Sequence, residues 1–264
     1  MKVNATSELL DDVINITWQA AERVLEIYQG AVEFSHKADG TPLTEADIAS
    51  HNIITEKLHT LLQNPIVISE ENAEQDGRIW SNPQQFWLVD PLDGTKEFIH
   101  RNGEFTINIA LIEDGQPTLG VVCAPALNVL YAGLYGHGAF KTDKSGIKQQ
   151  IAVSNSTAEG LAVVGSRSHS DPVTMDMFLS RQKIARFIAS GSSLKFCLVA
   201  EGSVHLYPRL GRTMEWDTAA GHAVLAAAGG EVVQLDGNQL FYGKNGFENP
   251  YFIAKSRQLD LATA

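Results

Sequence analysis

Apolar side chains recur at helical spacing in the first part of the chain. Between residues 8 and 29 the periodic positions are Leu9, Val13, Ile16, Ala20, Val24 and Ile27. This spacing predicts an amphipathic helix with Ser7 as its N-cap. After a loop over residues 37–42, a second helix is predicted with Thr44 as its cap. Its inward side chains are expected to be Ile48, Ile53, Leu58, Leu61 and Leu62.

From residue 66 the pattern changes to short strands. Apolar runs over residues 66–69 and 86–89 predict two of them. Apolar and small or polar side chains then alternate over residues 105–111, and the turn Glu113-Asp114-Gly115 leads into a further apolar run over 119–123, which predicts an antiparallel hairpin. Two more strands are expected over residues 129–134 and 139–142.

The second half of the chain alternates strands with helices. Strands are predicted over residues 162–165, 186–189 and 204–207, with helical segments between them, a pattern typical of an α/β fold. We therefore expect a layered α/β fold with helices packed on sheets. We also expect two lobes, formed by residues 1–150 and residues 151–264, with most of the functional residues in the first.

Composition indicates the cellular compartment of the protein. The chain has 264 residues, 44% of them hydrophobic, and only two cysteines, Cys123 and Cys197, both in apolar surroundings. We therefore expect no disulfide framework, and we expect a cytoplasmic location. The first residues carry acidic side chains where a signal peptide has basic ones, and no apolar run is long enough to predict an integral membrane segment. Peripheral association with the inner face of a membrane stays open.

Net charge excludes one class of partner and raises a question. A formal charge of −11 argues against binding of nucleic acid polymers, which requires basic patches. If the substrate is a phosphorylated small molecule, its negative charge would still need positive charge in the binding site. Divalent cations held by clustered carboxylates would provide it.

Two acidic pairs follow apolar runs directly. Glu70 and Glu71 come after the run at 66–69, and Asp90 and Asp93 come after the run at 86–89. Carboxylates at strand ends are held rigidly and suit cations that prefer oxygen ligands. Each pair also has a plainer interpretation, because Asp-Pro-Leu-Asp-Gly is ordinary turn chemistry and Glu70-Glu71 could be a solvated loop.

Two further acidic residues have structural explanations of their own. Asp47 could be a first-turn residue favoured by the helix dipole, and Asp217 could be the N-cap of the Ala-rich helix that ends near Gly229. Taken in order, however, these residues form a larger pattern. It consists of Asp47, Glu70-Glu71, Asp90-Pro91-Leu92-Asp93-Gly94-Thr95, Trp216-Asp217 and Gly229-Gly230.

This pattern resembles the signature of the inositol monophosphatase superfamily of lithium-sensitive, magnesium-dependent phosphatases, and it covers nearly the whole chain. The resemblance implies an αβαβα sandwich. It also implies two or three Mg²⁺ ions that polarise a water for attack on phosphorus. Their ligands would be Glu70, Asp90, the Leu92 carbonyl, Asp93 and Asp217.

The resemblance assigns roles to other residues as well. Asp47 and Thr95 would take the proton of the attacking water. Glu71, a further catalytic candidate, would contribute to metal binding more weakly, through a water molecule. The Gly94 and Thr95 amides would hold phosphate oxygens. The substrate would also contact the metal ligands Glu70, Leu92, Asp93 and Asp217.

Specificity residues are expected outside this shared set. A lysine directly after Thr95, here Lys96, resembles the sequence of the 3'(2'),5'-bisphosphate nucleotidase branch of the family. Ser192 and Lys195 are expected to hold the phosphate that is not cleaved, although Lys195 could instead be a solvent-facing lysine. Arg209 could stack on a purine or pair with phosphate. His169 could contact the base or ribose, or be an inert loop histidine.

The hypothesis is hydrolysis of adenosine 3',5'-bisphosphate to AMP and phosphate, which clears a by-product of sulfate assimilation, with its sulfated relative PAPS as a second substrate. The nearest alternative is an inositol or sugar phosphatase with the same mechanism. A non-catalytic metal-binding regulator is a remote one. Both a monomer and a homodimer are compatible with the sequence.

Overall fold

Two helices and a small hairpin open the chain. The computed structural model describes residues 5–37, 40–73, 83–155, 158–166 and 172–261. It places α1 at Ser7–Gln29, β1 at Phe34–His36, β2 at Pro42–Thr44 and α2 at Glu45–Leu61. The N-cap of α1 is Thr6, whose hydroxyl accepts the Leu9 N–H at 3.2 Å, so the prediction of Ser7 is wrong by one residue. Thr44 caps α2, as predicted.

The inward face of α2 differs from the prediction. Ile48 is 41% exposed, whereas Ala46, Ser50, Ile54 and Leu58 are buried. These four positions are spaced by four residues and therefore form one row along the helix. Ile48 lies outside that row, which is why its inward placement is wrong.

A seven-stranded sheet follows, with the strands in sequence order from one edge to the other. The strands are β3 (Val67–Ser69), β4 (Gln85–Asp93), β5 (Thr106–Glu113), β6 (Gln116–Ala124), β7 (Val129–Leu134), β8 (Gly138–Thr142) and β9 (Gln149–Ile151). β3 pairs in parallel with β4, and every other pairing is antiparallel. The predicted hairpin is confirmed as β5 and β6.

A five-stranded mixed sheet occupies the second half, in the order β11-β10-β12-β14-β13. Its strands are β10 (Leu161–Gly165), β11 (Ile184–Ala189), β12 (Leu206–Arg209), β13 (Gly230–Gln234) and β14 (Phe252–Ser256). The remaining α-helices of the described chain are α3 (Thr95–Ile99), α4 (Pro172–Leu179), α5 (Leu194–Ala200) and α6 (Ala219–Ala227). The division of the chain at residue 150 into two lobes stays a prediction.

Helices and sheets alternate in five layers. Ile107, Ile109 and Leu111 of β5 pack with α1 and α2, while Ala110 and Ile112 point the other way, into a core shared with α5, α6 and the second sheet. On the far side of that sheet, α4 packs through its C-terminal apolar residues. The expected αβαβα sandwich is confirmed.

Helix α6 approaches the first sheet closely at two glycines. A Cβ on Gly120 would lie 2.5 Å from the Ala220 carbonyl oxygen, and one on Gly133 would lie 2.7 Å from Val224 Cα. Such distances are shorter than any real contact, so only glycine permits this packing. The close approach fixes the position of α6, and with it the chain immediately before the helix.

Both cysteines are free and buried, Cys123 in β6 and Cys197 in α5. Burial raises the pKa of each thiol above its ordinary value. Within the described ranges, no helix is long and apolar enough to cross a membrane.

We expect Gly120→Ala to lower the free energy of unfolding by about 2 kcal/mol, since α6 must move to accommodate the methyl group. The matched control is Gly30→Ala, where a Cβ would meet its nearest neighbour, the Ile27 carbonyl oxygen, at 3.5 Å. Urea denaturation of both variants measures the difference. Equal stability of the two variants would contradict the close packing of α6.

Candidate active site

Parallel pairing brings the two acidic strand ends together. β3 runs beside β4 with Ser69 opposite Val89, and the Glu70 N–H continues the ladder by donating to the Val89 carbonyl at 3.1 Å. Glu70 therefore leaves the sheet beside Asp90. The prediction that each acidic pair lies where a strand ends is confirmed, and the structure adds that the two strands are neighbours.

A bulge near the end of β4 turns Asp90 and Asp93 to the same face. Asp90 pairs with Asn108 and Asp93 with Thr106, so β4 has one more residue than β5 between these pairs. In a regular strand, residues three apart point to opposite faces, and one extra residue restores a common face. Pro91 lies in the bulge, and the Leu92 N–H donates to Asp90 Oδ1 at 3.1 Å.

The chain then turns at Gly94 into the short helix α3. Gly94 has a φ of 89°, in the left-handed region that favours glycine. The turn places the Thr95 hydroxyl within 3.3 Å of the Leu92 carbonyl and 3.2 Å of Asp47 Oδ1.

Asp47 combines a structural and a site contact. Its Oδ2 accepts hydrogen bonds from the Thr44 N–H at 2.7 Å and the Thr44 hydroxyl at 2.6 Å, which closes a capping box at the start of α2. Its Oδ1 accepts from Thr95. Burial raises the pKa of Asp47. The structure therefore joins the two residues that the resemblance pairs for proton transfer.

Asp217 reaches the same region from the second half of the chain. It lies one residue before the N-cap of α6, which is Thr218, so the interpretation of Asp217 as that cap is wrong. Its Oδ2 instead accepts the Met214 N–H at 2.9 Å. Because α6 is held against the first sheet, Asp217 is carried toward the end of β4.

The four carboxylates of Glu70, Asp90, Asp93 and Asp217 influence one another. Burial raises the pKa of Asp90 well above its usual range, and the charges of the other three add to the effect. Burial, reinforced by Asp93 and Glu70, raises the pKa of Asp217 to about 8. Burial also raises the pKa of Asp93 to about 6, although Lys195 opposes this. These residues therefore share one electrostatic site.

Lys37 also belongs to the site, although no sequence pattern indicates it. It follows the hairpin strand β1, and its Nζ donates to Glu70 Oε1 and to Glu71 Oε1, both at 2.7 Å. Burial lowers the pKa of Lys37, but the two glutamates outweigh burial and leave it above its ordinary value. Burial raises the pKa of Glu71 to about 7, against the opposing effect of Lys37. The glutamate pair thus binds a cation in this structure, and that cation is an ammonium group.

The donor chemistry fits Mg²⁺. Carboxylate oxygens and a backbone carbonyl are its preferred protein ligands, and the raised carboxyl pKa values indicate a place where positive charge is needed. Across the part of the chain that the structure describes, no three His, Cys, Asp or Glu side chains are already arranged as a metal-binding group. The residues that would hold Mg²⁺ are Glu70, Asp90, the Leu92 carbonyl, Asp93 and Asp217.

Two of the candidate specificity residues, Ser192 and Lys195, lie at the start of α5. Lys195 is in the first turn of this helix and only 4% exposed, so it is not a solvent-facing lysine. Its Nζ donates to the carbonyls of Ser190 and Ser192. Burial lowers the pKa of Lys195 to about 8, and Asp93 opposes the shift. Ser192 has a φ of 46°, and within the described chain its buried hydroxyl has no partner.

The other specificity candidates differ in position. Arg209 at the end of β12 is buried, donates through Nη2 to the Arg212 carbonyl, and has a buried Nε without a partner among the described residues. Burial raises the pKa of Asp217, and the charge of Arg209 opposes this rise, so Arg209 lies near the carboxylates. Lys96 is exposed on α3. His169 lies outside the described residues.

Comparison with known proteins identifies the family of this chain. The model of the inositol monophosphatase family matches residues 7–260. The 3'(2'),5'-bisphosphate nucleotidase CysQ of Escherichia coli K12 is 47% identical over 247 residues, which cover 92% of this chain and 98% of that protein. The CysQ protein of Buchnera aphidicola is 44% identical, covering 90% of this chain and 89% of its own length.

Solved structures show the same fold. CysQ from Bacteroides thetaiotaomicron, described as a bacterial member of the inositol monophosphatase family, has 36% identity and a TM-score of 0.78, covering 95% of this chain and 97% of that one. An IMPase of Thermotoga maritima has 26% identity and a TM-score of 0.77, with 95% and 93% coverage.

The raised carboxyl pKa values predict that the metal-free protein loses stability as pH rises. A carboxyl group whose folded pKa exceeds its unfolded pKa stabilises the fold fully below the unfolded pKa, and this stabilisation is lost as pH rises through the folded pKa. For Asp217 that window runs from 3.8 to about 8. We expect the unfolding temperature in EDTA to fall across it, and to fall less in Asp217→Asn.

Differential scanning fluorimetry from pH 5 to pH 8.5 measures this effect. Asp12→Asn, which changes an exposed carboxylate of α1, is the matched control and should follow the wild type. An Asp217→Asn profile that is parallel to the wild-type profile would contradict the assigned shift.

Proposed function

Because the chain belongs to the inositol monophosphatase family, we propose that it is a Mg²⁺-dependent phosphatase that hydrolyses adenosine 3',5'-bisphosphate to AMP and phosphate. The observation that carries the proposal is the shared site of Glu70, Asp90, Asp93 and Asp217, in which burial and the charges of neighbouring carboxylates raise the pKa values of Asp90 and Asp217. Curated relatives at 47% identity are 3'(2'),5'-bisphosphate nucleotidases, and this favours a nucleotide over an inositol phosphate.

Bound Mg²⁺ would supply an activated water and neutralise the charge of the phosphate. We propose that two or three ions bind. The protein's own residues position the substrate and take up the proton of the attacking water. Thr95 contacts Asp47 Oδ1, so a proton taken up at the threonine oxygen has a direct acceptor. Burial raises the pKa of Asp47 and makes it a stronger base than an exposed aspartate. Glu71, whose pKa is about 7, is proposed to assist through a water.

The phosphate that is transferred needs donors that the carboxylates cannot provide. The main-chain N–H groups of Gly94 and Thr95 are proposed to hold its oxygens, since the turn at Gly94 starts α3 beside Asp93. The exposed Lys96 is proposed to add a positive charge at the entrance. Together they would orient the phosphorus for in-line attack.

The phosphate that is not cleaved is proposed to bind Lys195, Ser192 and Arg209. All three carry buried polar groups in the same neighbourhood, and two of these groups, Ser192 Oγ and Arg209 Nε, are without partners in the described structure. Buried donors of this kind are costly unless a ligand satisfies them, and a phosphate dianion would do so. Contact of His169 with the base or ribose, and turnover of PAPS, stay predictions.

The proposal is tested by phosphate release from adenosine 3',5'-bisphosphate, inositol 1-phosphate and fructose 1,6-bisphosphate, with Mg²⁺ and with EDTA. We expect Mg²⁺-dependent turnover with a strong preference for the nucleotide. Asp93→Asn and Asp217→Asn should lose more than about 100-fold in kcat/KM, because each replaces a charged metal ligand by a neutral amide. This loss is larger than the one expected when a residue that only hydrogen-bonds to a ligand is removed. Normal turnover by either folded variant, or preference for inositol 1-phosphate, would overturn the proposal.

The role of Lys195 is tested by substrates that differ in one phosphate. We expect Lys195→Met to raise KM for adenosine 3',5'-bisphosphate about 10-fold or more, because a charge-assisted hydrogen bond is lost. KM for 3'-AMP, which lacks the second phosphate, should change little. Lys183→Met, at an exposed lysine before β11, is the control. An equal rise for both substrates would count against this assignment.

A further inference from the structure

Ser193 occupies a helix N-cap but does not cap the helix. It precedes α5, and its side chain makes no capping hydrogen bond, although serine is favoured at this position for that purpose. Its hydroxyl donates instead to Asn108 Oδ1 at 2.6 Å and lies 2.9 Å from Thr106 Oγ1. All three side chains are at most 2% exposed.

This link joins the turn before α5 to the two positions of β5 that face the site. Asn108 pairs with Asp90 and Thr106 with Asp93, and paired residues of antiparallel strands point to the same face. Ser193 also approaches Asp93 directly, because its backbone N–H lies near that carboxylate and favours its ionised form. One residue thus holds β5 with its side chain and Asp93 with its main chain.

Counting protons gives the direction of the link. Ser193 has one hydroxyl proton, which goes to Asn108, so Thr106 must donate to Ser193 Oγ at 2.9 Å. The Thr106 contact with Asp93 Oδ2 is 3.5 Å and is left without a proton in this arrangement. The Ser193 N–H is consequently the group of this link that orients the Asp93 carboxylate.

Stability alone does not account for the three polar groups. Buried hydrogen bonds give little net stabilisation compared with apolar groups of the same shape, and Asn108 Nδ2 remains buried without a partner in the described structure. A serine hydroxyl that capped α5 would stabilise the helix more directly.

We infer that Ser193 is a positioning residue for cation binding. Its hydroxyl fixes the turn over residues 190–193 to Thr106 and Asn108, so that its N–H holds Asp93 in the orientation a divalent cation requires. The inference rests on the proposed function, in which Asp93 is a metal ligand. It assigns to Thr106 and Asn108 a role that their positions in β5 did not indicate.

The test measures Mg²⁺ binding by isothermal titration calorimetry, without substrate, in Ser193→Ala and in Thr106→Val. We expect the dissociation constant to rise about 10-fold or more in both, the usual effect of removing a group that orients a ligand. Thr106→Ser keeps the hydroxyl and should bind as the wild type does. With adenosine 3',5'-bisphosphate, raising Mg²⁺ should restore kcat of Ser193→Ala, which a purely structural defect would not show.

Thr17→Val is the matched control, because it removes another buried hydroxyl, one that donates to the Val13 carbonyl in α1. Unchanged Mg²⁺ binding in both Ser193→Ala and Thr106→Val, with lost binding in Asp93→Asn, overturns the inference alone. Equal weakening in Thr17→Val overturns it as well. Normal binding in Asp93→Asn overturns the proposed function and the inference together. If Ser193→Ala does not fold, the difference between Thr106→Val and Thr106→Ser decides.

Discussion

Repulsion among the clustered carboxylates of the site is the constraint on which this structure depends. At separations near 5 Å and an effective dielectric constant of 20, each like-charged pair costs about 3 kcal/mol. The fold must therefore hold Glu70, Asp90, Asp93 and Asp217 on rigid supports. Two parallel strand ends, one bulge and one tightly packed helix provide them. Lys37 donates to both Glu70 and Glu71 and neutralises part of this charge.

The supports explain how much of the site the sequence could predict. Apolar runs end at Glu70 and Asp90, so their positions at strand ends follow from local pattern alone. The relation of Asp90 to Asp93 does not follow, because strand alternation would place them on opposite faces and only the bulge corrects this. The contact of Asp47 with Thr95 spans 48 positions, and only the family resemblance could suggest it.

The errors and omissions have similar physical causes. The prediction of Ser7 as an N-cap and the alternative interpretation of Asp217 as one are both wrong, because several residues near a helix start have side chains that can cap and only the backbone decides which one does. Ile48 fits a helical repeat but lies off the buried row. Lys37 and Ser193 reach the site through contacts 33 and 85 positions away in the chain. No local pattern encodes such pairings.

The two cysteines lie deep in the layers and carry thiols whose pKa values are raised. Because the thiolate is the species that reacts with maleimides and peroxides, both native thiols are protected in the folded protein. A third cysteine placed on the surface would thus be modified selectively, without removal of the native pair. The protein is in this respect ready for fluorescent or spin labelling, and its chemistry should tolerate oxidants that inactivate thiol enzymes.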